Sequence, residues 1–130
     1  MSSRLQQRAE IFRRAFERLR DACAQPEDEF VRDAVIQRFE FCYELAWKLL
    51  KERLSREDIE ARSPKATLEE ALKAGLVGDG ETWTELHRMR NLTSHTYDEK
   101  LARKVYDFVC RQGLKLFGQL AEDADTWKNE

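Results

Sequence analysis

Residues 31–54 read VRDAVIQRFEFCYELAWKLLKERL, and this stretch decides the fold. Val31, Val35, Cys42, Leu45 and Leu49 share one helical stripe, while Ile36, Tyr43, Trp47, Leu50 and Leu54 share another. A helix lying on a surface needs only one apolar stripe, so two predict a central helix with neighbours on both sides. The acidic run Glu27, Asp28, Glu29 suits its first turn, where carboxylates complement the positive end of the helix dipole. The helix is expected to end near Leu54, and the polar stretch from Ser55 to Ser63 before Pro64 reads as a loop.

Working outward, Leu5, Ala9, Phe12, Phe16, Leu19 and Cys23 recur at spacings of three and four and predict a first helix over about residues 3–24, stopped by Gln25 and Pro26. Thr67 with Glu70 three residues later matches a capping box and predicts a short third helix of about two turns. Gly78, Asp79 and Gly80 form a turn, after which Trp83, Leu86 and Met89 predict a fourth helix. From Glu99, the residues Leu101, Val105, Phe108, Val109, Gln112, Leu116 and Leu120 predict one long final helix to roughly Ala121, followed by a frayed tail. The expectation is a single all-α domain over residues 1–130, an up-and-down bundle of four to five helices without internal repeats.

With 42% apolar residues the 130-residue chain can bury a core without disulfides or metal. Cys23, Cys42 and Cys110 lie far apart within apolar patterns and read as reduced core residues. The N-terminus is polar from its start and no apolar run approaches a membrane span, so a soluble, cytoplasmic chain is expected, with no membrane partner. A net charge of −2 argues against coating nucleic acid by charge alone, and no DNA partner is expected. The six arginines between Arg4 and Arg20 alternate with apolar residues and read as a solvated helix face.

The chemistry-bearing stretch is Arg90 to Tyr97, RNLTSHTY. His87 and His95 are the only histidines, neither stands in a metal-ligand spacing, and no metal or cofactor is expected. There is no phosphate-binding Gly-rich loop and no hydrolase elbow. Arg90 offers a permanent cation, His95 a titratable base or acid, and Asn91 an amide donor and acceptor. Five residues of unbroken helix set Arg90 and His95 about 140° apart, so they converge only if the helix breaks near Ser94 or a second subunit completes the site. Thr93, Ser94 and Thr96 are mediocre helix formers, which makes a break reasonable. Such a pair suffices for metal-free RNA cleavage: imidazole moves the proton while guanidinium neutralises charge at phosphorus. The spacing alone is common by chance, and a C-terminal histidine beside a surface arginine is its plain structural counterpart. Glu40 and Glu44, four apart on the central helix, are candidates to hold Arg90 or tune His95, or are simply surface carboxylates. Trp47 and Trp83 read as core, and His87 as fourth-helix surface.

Two segments, QRFEFCYELAWKLLK from Gln37 to Lys51 and AGLVGDGETWTELHRMRNLTSHTYDE from Ala74 to Glu99, resemble the signatures of the nucleotidyltransferase substrate-binding family, within the HEPN superfamily of helical domains. Arg90, His95 and Tyr97 are similar to the Arg, spacer, His-x-Tyr pattern of HepT-type toxins in that superfamily. The resemblance implies a HEPN-like bundle that dimerises with the Arg and His near the two-fold cleft. It also implies pairing with a separately encoded small nucleotidyltransferase, up to a heterotetramer. No nucleotidyltransferase motif occurs in this chain, so it would be the partner and not the transferase. Three functions compete: a metal-independent endoribonuclease toxin using Arg90 and His95; a module that binds nucleotide or RNA for its partner, or is nucleotidylated by it on Tyr97; and a non-catalytic dimerisation protein. Partner-dependent function ranks first.

Overall fold

Each helix begins where the chain supplies an acceptor for its free N–H groups. In the computed structural model, which describes residues 3–127, Ser3 caps α1 (Arg4–Cys23) in a reciprocal box with Gln6. Asp28 caps α2 (Glu29–Ser55) through a 2.7 Å bond from the Val31 amide. Ser63 caps α3 (Pro64–Lys73), and Asp79 caps α4 (Gly80–Leu92). After a 3₁₀ turn, Thr93–His95, a final helix runs as α5 (Glu99–Phe108), a π turn (Val109–Gly113) and α6 (Leu114–Trp127). With α5 and α6 counted as one, this is the expected all-α bundle of five helices, with no strand among the described residues.

The two stripes of α2 are both covered: Val35, Cys42 and Leu49 are buried, and so are Ile36, Tyr43, Leu50 and Leu54. Phe117 of α6 is the hub. Its ring meets Phe12 of α1 edge-on at 5.9 Å, Phe39 of α2 at 6.2 Å and Trp83 of α4 edge-on at 6.1 Å. One aromatic thus ties four helices, and α4, which carries the chemistry-bearing segment, is fixed through Trp83.

The structure corrects the sequence reading of the fold at four places. Helix α3 starts at Pro64 under a Ser63 cap rather than at the box predicted at Thr67; Pro is preorganised for the first helical position, and Thr67 lies buried within the helix. Around the middle of the final helix Val105, Val109, Gly113 and Phe117 are all buried, while Gln112 is exposed and Leu116 only half-buried. Those are three consecutive steps of four residues, which drift by about 120° on an ideal α-helix of 3.6 residues per turn. The π turn takes up that drift and keeps all four residues on the core side. A Cβ at Gly113 would stand 3.3 Å from Leu86 Cδ1 of α4, so the two helices approach closely there and a larger residue would push Leu86 aside. The helix also continues past Ala121: Ala124 and Trp127 extend the buried stripe beneath the acidic surface of this segment, and the Arg53 guanidinium lies over the Trp127 ring. Residues 128–130 of the predicted tail lie outside the described residues.

The fourth correction concerns the cysteines. Cys42 is buried and free, but Cys23 in the last turn of α1 and Cys110 in the π turn form a disulfide, their Cα atoms 5.6 Å apart. A separation of 87 residues hides this pair from any local spacing rule; packing α1 against the final helix creates it. No described helix is long and apolar enough to cross a membrane.

Candidate functional site

The sequence TSHT ends α4 by offering the backbone a substitute for helical bonds. The Thr93 hydroxyl donates to the Arg90 carbonyl at 2.7 Å, Ser94 to the Asn91 carbonyl at 3.5 Å and Thr96 to the Thr93 carbonyl at 3.1 Å. These bonds satisfy the orphan carbonyls of a helix end and favour the tighter 3₁₀ turn. The Asp98 amide then closes onto the His95 carbonyl, and the Asp98 carboxylate accepts from the amides of Lys100 and Leu101 to start α5. The helix therefore breaks in the segment around Ser94, one of the two conditions under which Arg90 and His95 can converge.

Arg90 sits exposed in the last turn of α4, and Asn91 and His95 are exposed as well. The His95 ring meets the Tyr97 ring edge-on at 6.2 Å, and Tyr97 is 87% exposed. Among the described residues no hydrogen bond or ion pair joins Arg90 to His95, so one protomer brings together His95 and Tyr97 but not the Arg–His pair.

The inner wall belongs to α2. Glu44 accepts a 3.0 Å bond from the Trp47 indole N–H and lies 3.4 Å from Lys48. The Trp47 bond chiefly, then Lys48 and the Arg90 charge, hold its carboxyl below the usual carboxylate range. Among the described residues, Glu44 thus feels the Arg90 charge without an ion pair to it, whereas Glu40 is exposed on α2 and makes no hydrogen bond or ion pair with Arg90 or His95. Trp47 is half-buried at this rim, with Lys51 over its ring; Trp83 is core as expected.

His87 departs from its assignment to the surface. It is half-buried, with Nδ1 2.5 Å from the Tyr43 hydroxyl of α2. Burial, reinforced by the charges of Arg90 and Lys65, lowers its pKa. Burial pushes Tyr43 up to about 12 against the opposing pull of Arg90. Arg90 is therefore the common electrostatic neighbour of Tyr43, Glu44 and His87. The available signal was positional: His87 precedes Arg90 by three residues on one helical face, and Tyr43 lies on the inner stripe of α2.

Known proteins share the sequence and the fold of this chain. Residues 7–125 match the family described as nucleotidyltransferase substrate binding protein like. A curated relative from Haemophilus influenzae (strain Rd), named "Probable ribonuclease HepT", is 47% identical over 90 residues, which is 62% of this chain and 62% of the relative's length. A solved structure from Haemophilus influenzae, presented as the fold of a substrate binding domain of a nucleotidyltransferase, superposes with a TM-score of 0.79 at 33% identity, covering 90% of this chain and 98% of the other. A crystal structure from Thermus thermophilus gives 0.75 at 30% identity, over 92% and 99%. A toxin–antitoxin structure with AMP-PNP gives 0.76 at 14% identity, over 95% and 99%, and shares the fold. With its sequence matched almost end to end, the chain belongs to the nucleotidyltransferase substrate binding protein like family.

Proposed function

We propose that this chain is the partner of a separately encoded minimal nucleotidyltransferase in a two-component, toxin–antitoxin-like pair, and that its Arg90–Tyr97 edge cleaves RNA without metal. The observation that carries this reading is the 3₁₀ break, which leaves His95 and Tyr97 exposed side by side just past the Arg90 turn. The name of the Haemophilus influenzae relative supports the same activity.

In the reaction, His95 accepts the proton of a ribose 2′-hydroxyl as its oxygen attacks phosphorus, or donates one to the departing 5′ oxygen; Arg90 neutralises the charge that builds on the phosphorane. Asn91 orients the phosphate. Attack and departure each need a proton carrier, and one protomer presents a single His95 at this edge. A homodimer with two such edges meeting supplies both, and addition of two transferase chains would make a heterotetramer. Glu44 restrains Arg90 from behind; Glu40, outward on α2, serves at the subunit contact. Transfer of a nucleotide from ATP to the Tyr97 oxygen, with release of pyrophosphate, would set a negative phosphodiester beside His95 and repel RNA.

Expression of wild type and His95→Ala separates the readings. Wild type should arrest growth with RNA cleavage that survives chelation of metals, and His95→Ala should not; equal effects of the two sink the enzyme reading. Mass spectrometry of the chain after incubation with the partner and ATP should find the added mass on Tyr97. The exposed Phe41 side chain lines a groove of about 260 Å³ with Ala15, Arg18, Arg38 and Leu45, an observation that favours the alternative of a non-catalytic dimerising or substrate-presenting module. A dimer with no cleavage in either variant would select that alternative.

A further inference from the structure

His87 has no part in the chemistry above, yet its proton has a defined place. The buried Tyr43 phenol is neutral far beyond neutral pH, and among the described residues His87 Nδ1 is its polar partner. A phenol O–H facing a single partner donates to it, since accepting instead would leave the O–H unpaired in the interior. Nδ1 is then the acceptor, and the proton of the neutral imidazole sits on Nε2. Nε2 lies on the far side of the ring from Tyr43, and His87 lines a pocket of about 100 Å³ between α3 and α4 whose walls are Lys65, Glu69 and Thr84 together with the apolar Leu68, Leu72 and Trp83.

The charged and titratable groups around the ring come from three helices. From α2 there is Tyr43; from α3, Lys65 and Glu69 in the pocket wall; from α4 itself, Arg90 one turn on, whose charge reaches the ring although it does not line the pocket. Neither Lys65 nor Arg90 has a carboxylate in ion-pair contact among the described residues. Lys65 stands in the pocket wall with His87, Arg90 acts on the same ring from outside that lining, and Glu69 is the opposing charge. Donors of this kind suit a phosphate, whose oxygens accept from neutral and cationic N–H groups alike.

We propose that His87 Nε2–H, aimed by Tyr43, forms with Lys65 and Arg90 a phosphate-binding subsite at the α3–α4 edge, which positions the phosphate that Arg90 meets. It rests on the reading that Arg90 acts on a phosphate group, whether a diester of RNA or the phosphate of a mononucleotide. His87 is on this view a binding and positioning residue, and its protonation plays no part.

The test is nitrogen-resolved NMR of the histidines in the full chain, titrated separately with inorganic phosphate, AMP and a 2′-O-methylated RNA oligonucleotide that cannot be cleaved. The free chain should show His87 protonated on Nε2, and Tyr43→Phe should erase that preference. Phosphate groups should shift the His87 resonances, and the tightest of the three ligands identifies the source. His87→Leu should weaken binding about 10- to 100-fold, as loss of one hydrogen bond to a charged group does, while His87→Gln, whose amide N–H reaches the same position, should stay within about twofold. Glu69→Gln should tighten binding, which a purely structural histidine would not predict.

If Arg90→Ala abolishes binding while His87→Leu and Glu69→Gln bind as wild type, this inference falls and the functional reading stands. If Arg90→Ala is as silent as the His87 variants, or no phosphate ligand moves any resonance, both fall. Should His87→Leu fail to fold, an unaltered affinity in Tyr43→Phe together with an Nδ1–H tautomer in wild type overturns the inference equally.

Discussion

The interior around Phe117 and the edge from Arg90 to Tyr97 are about a helix length apart in sequence and follow opposite rules. At Phe117, four helices converge on one fully buried ring, and its ring neighbours are all aromatic. From Arg90 to Tyr97 no residue is fully buried, and the backbone is held by hydroxyls that bond three residues back. The interior is specified by volume and the edge by local hydrogen bonding. Stability and chemistry should therefore separate by mutation, because the edge contributes little buried area.

The sharpest break in that comparison is His95→Ala. Cleavage should fall about 10²- to 10⁴-fold, the usual range for a proton-transferring side chain, with the melting temperature unchanged; a large drop in melting temperature would show that the edge is structural after all. Phe117→Ala should cost about 3–5 kcal/mol in denaturant unfolding, from lost burial plus the cavity it leaves among Phe12, Phe39 and Trp83. Reduction of Cys23–Cys110 should cost about 2–4 kcal/mol by releasing a long loop in the unfolded chain, measured as the shift in denaturation midpoint on adding a thiol. A smaller effect tests a cap: Ser63→Ala should cost about 1 kcal/mol. Thr67→Val should cost less, because the Thr67 hydroxyl is buried without a hydrogen-bond partner.

The same contrast explains what was legible in the sequence. Stripes on α1 and α2 follow from burial, a repeating demand that writes a period into the chain, and the residues they marked are at least partly buried. The break before Thr96 was legible too, because hydroxyl side chains compete with helical bonds through neighbours in sequence. Contacts between distant segments leave no such trace. Gln112 and Leu116 match an ideal α period as well as Gly113 and Phe117 match the real one, and only the close approach of Leu86 to Gly113 decides between them. Thr67 with Glu70 mimics a cap as faithfully as Ser63 with Pro64. Cys23 gives no sign of Cys110, and His87 none of Tyr43, until α1 meets the final helix and α4 meets α2.

The disulfide also changes the topology of the molecule. Linking Cys23 to Cys110 makes the intervening chain a covalent ring that contains α2, α3, α4 and the whole Arg90–Tyr97 segment, with α1 and α6 as its two free arms. A single protease cut in the ring, for instance in the loop between Ser55 and Ser63, would sever the backbone without producing two molecules. The nicked chain would stay one covalent species with both arms attached until a reductant opened the second connection.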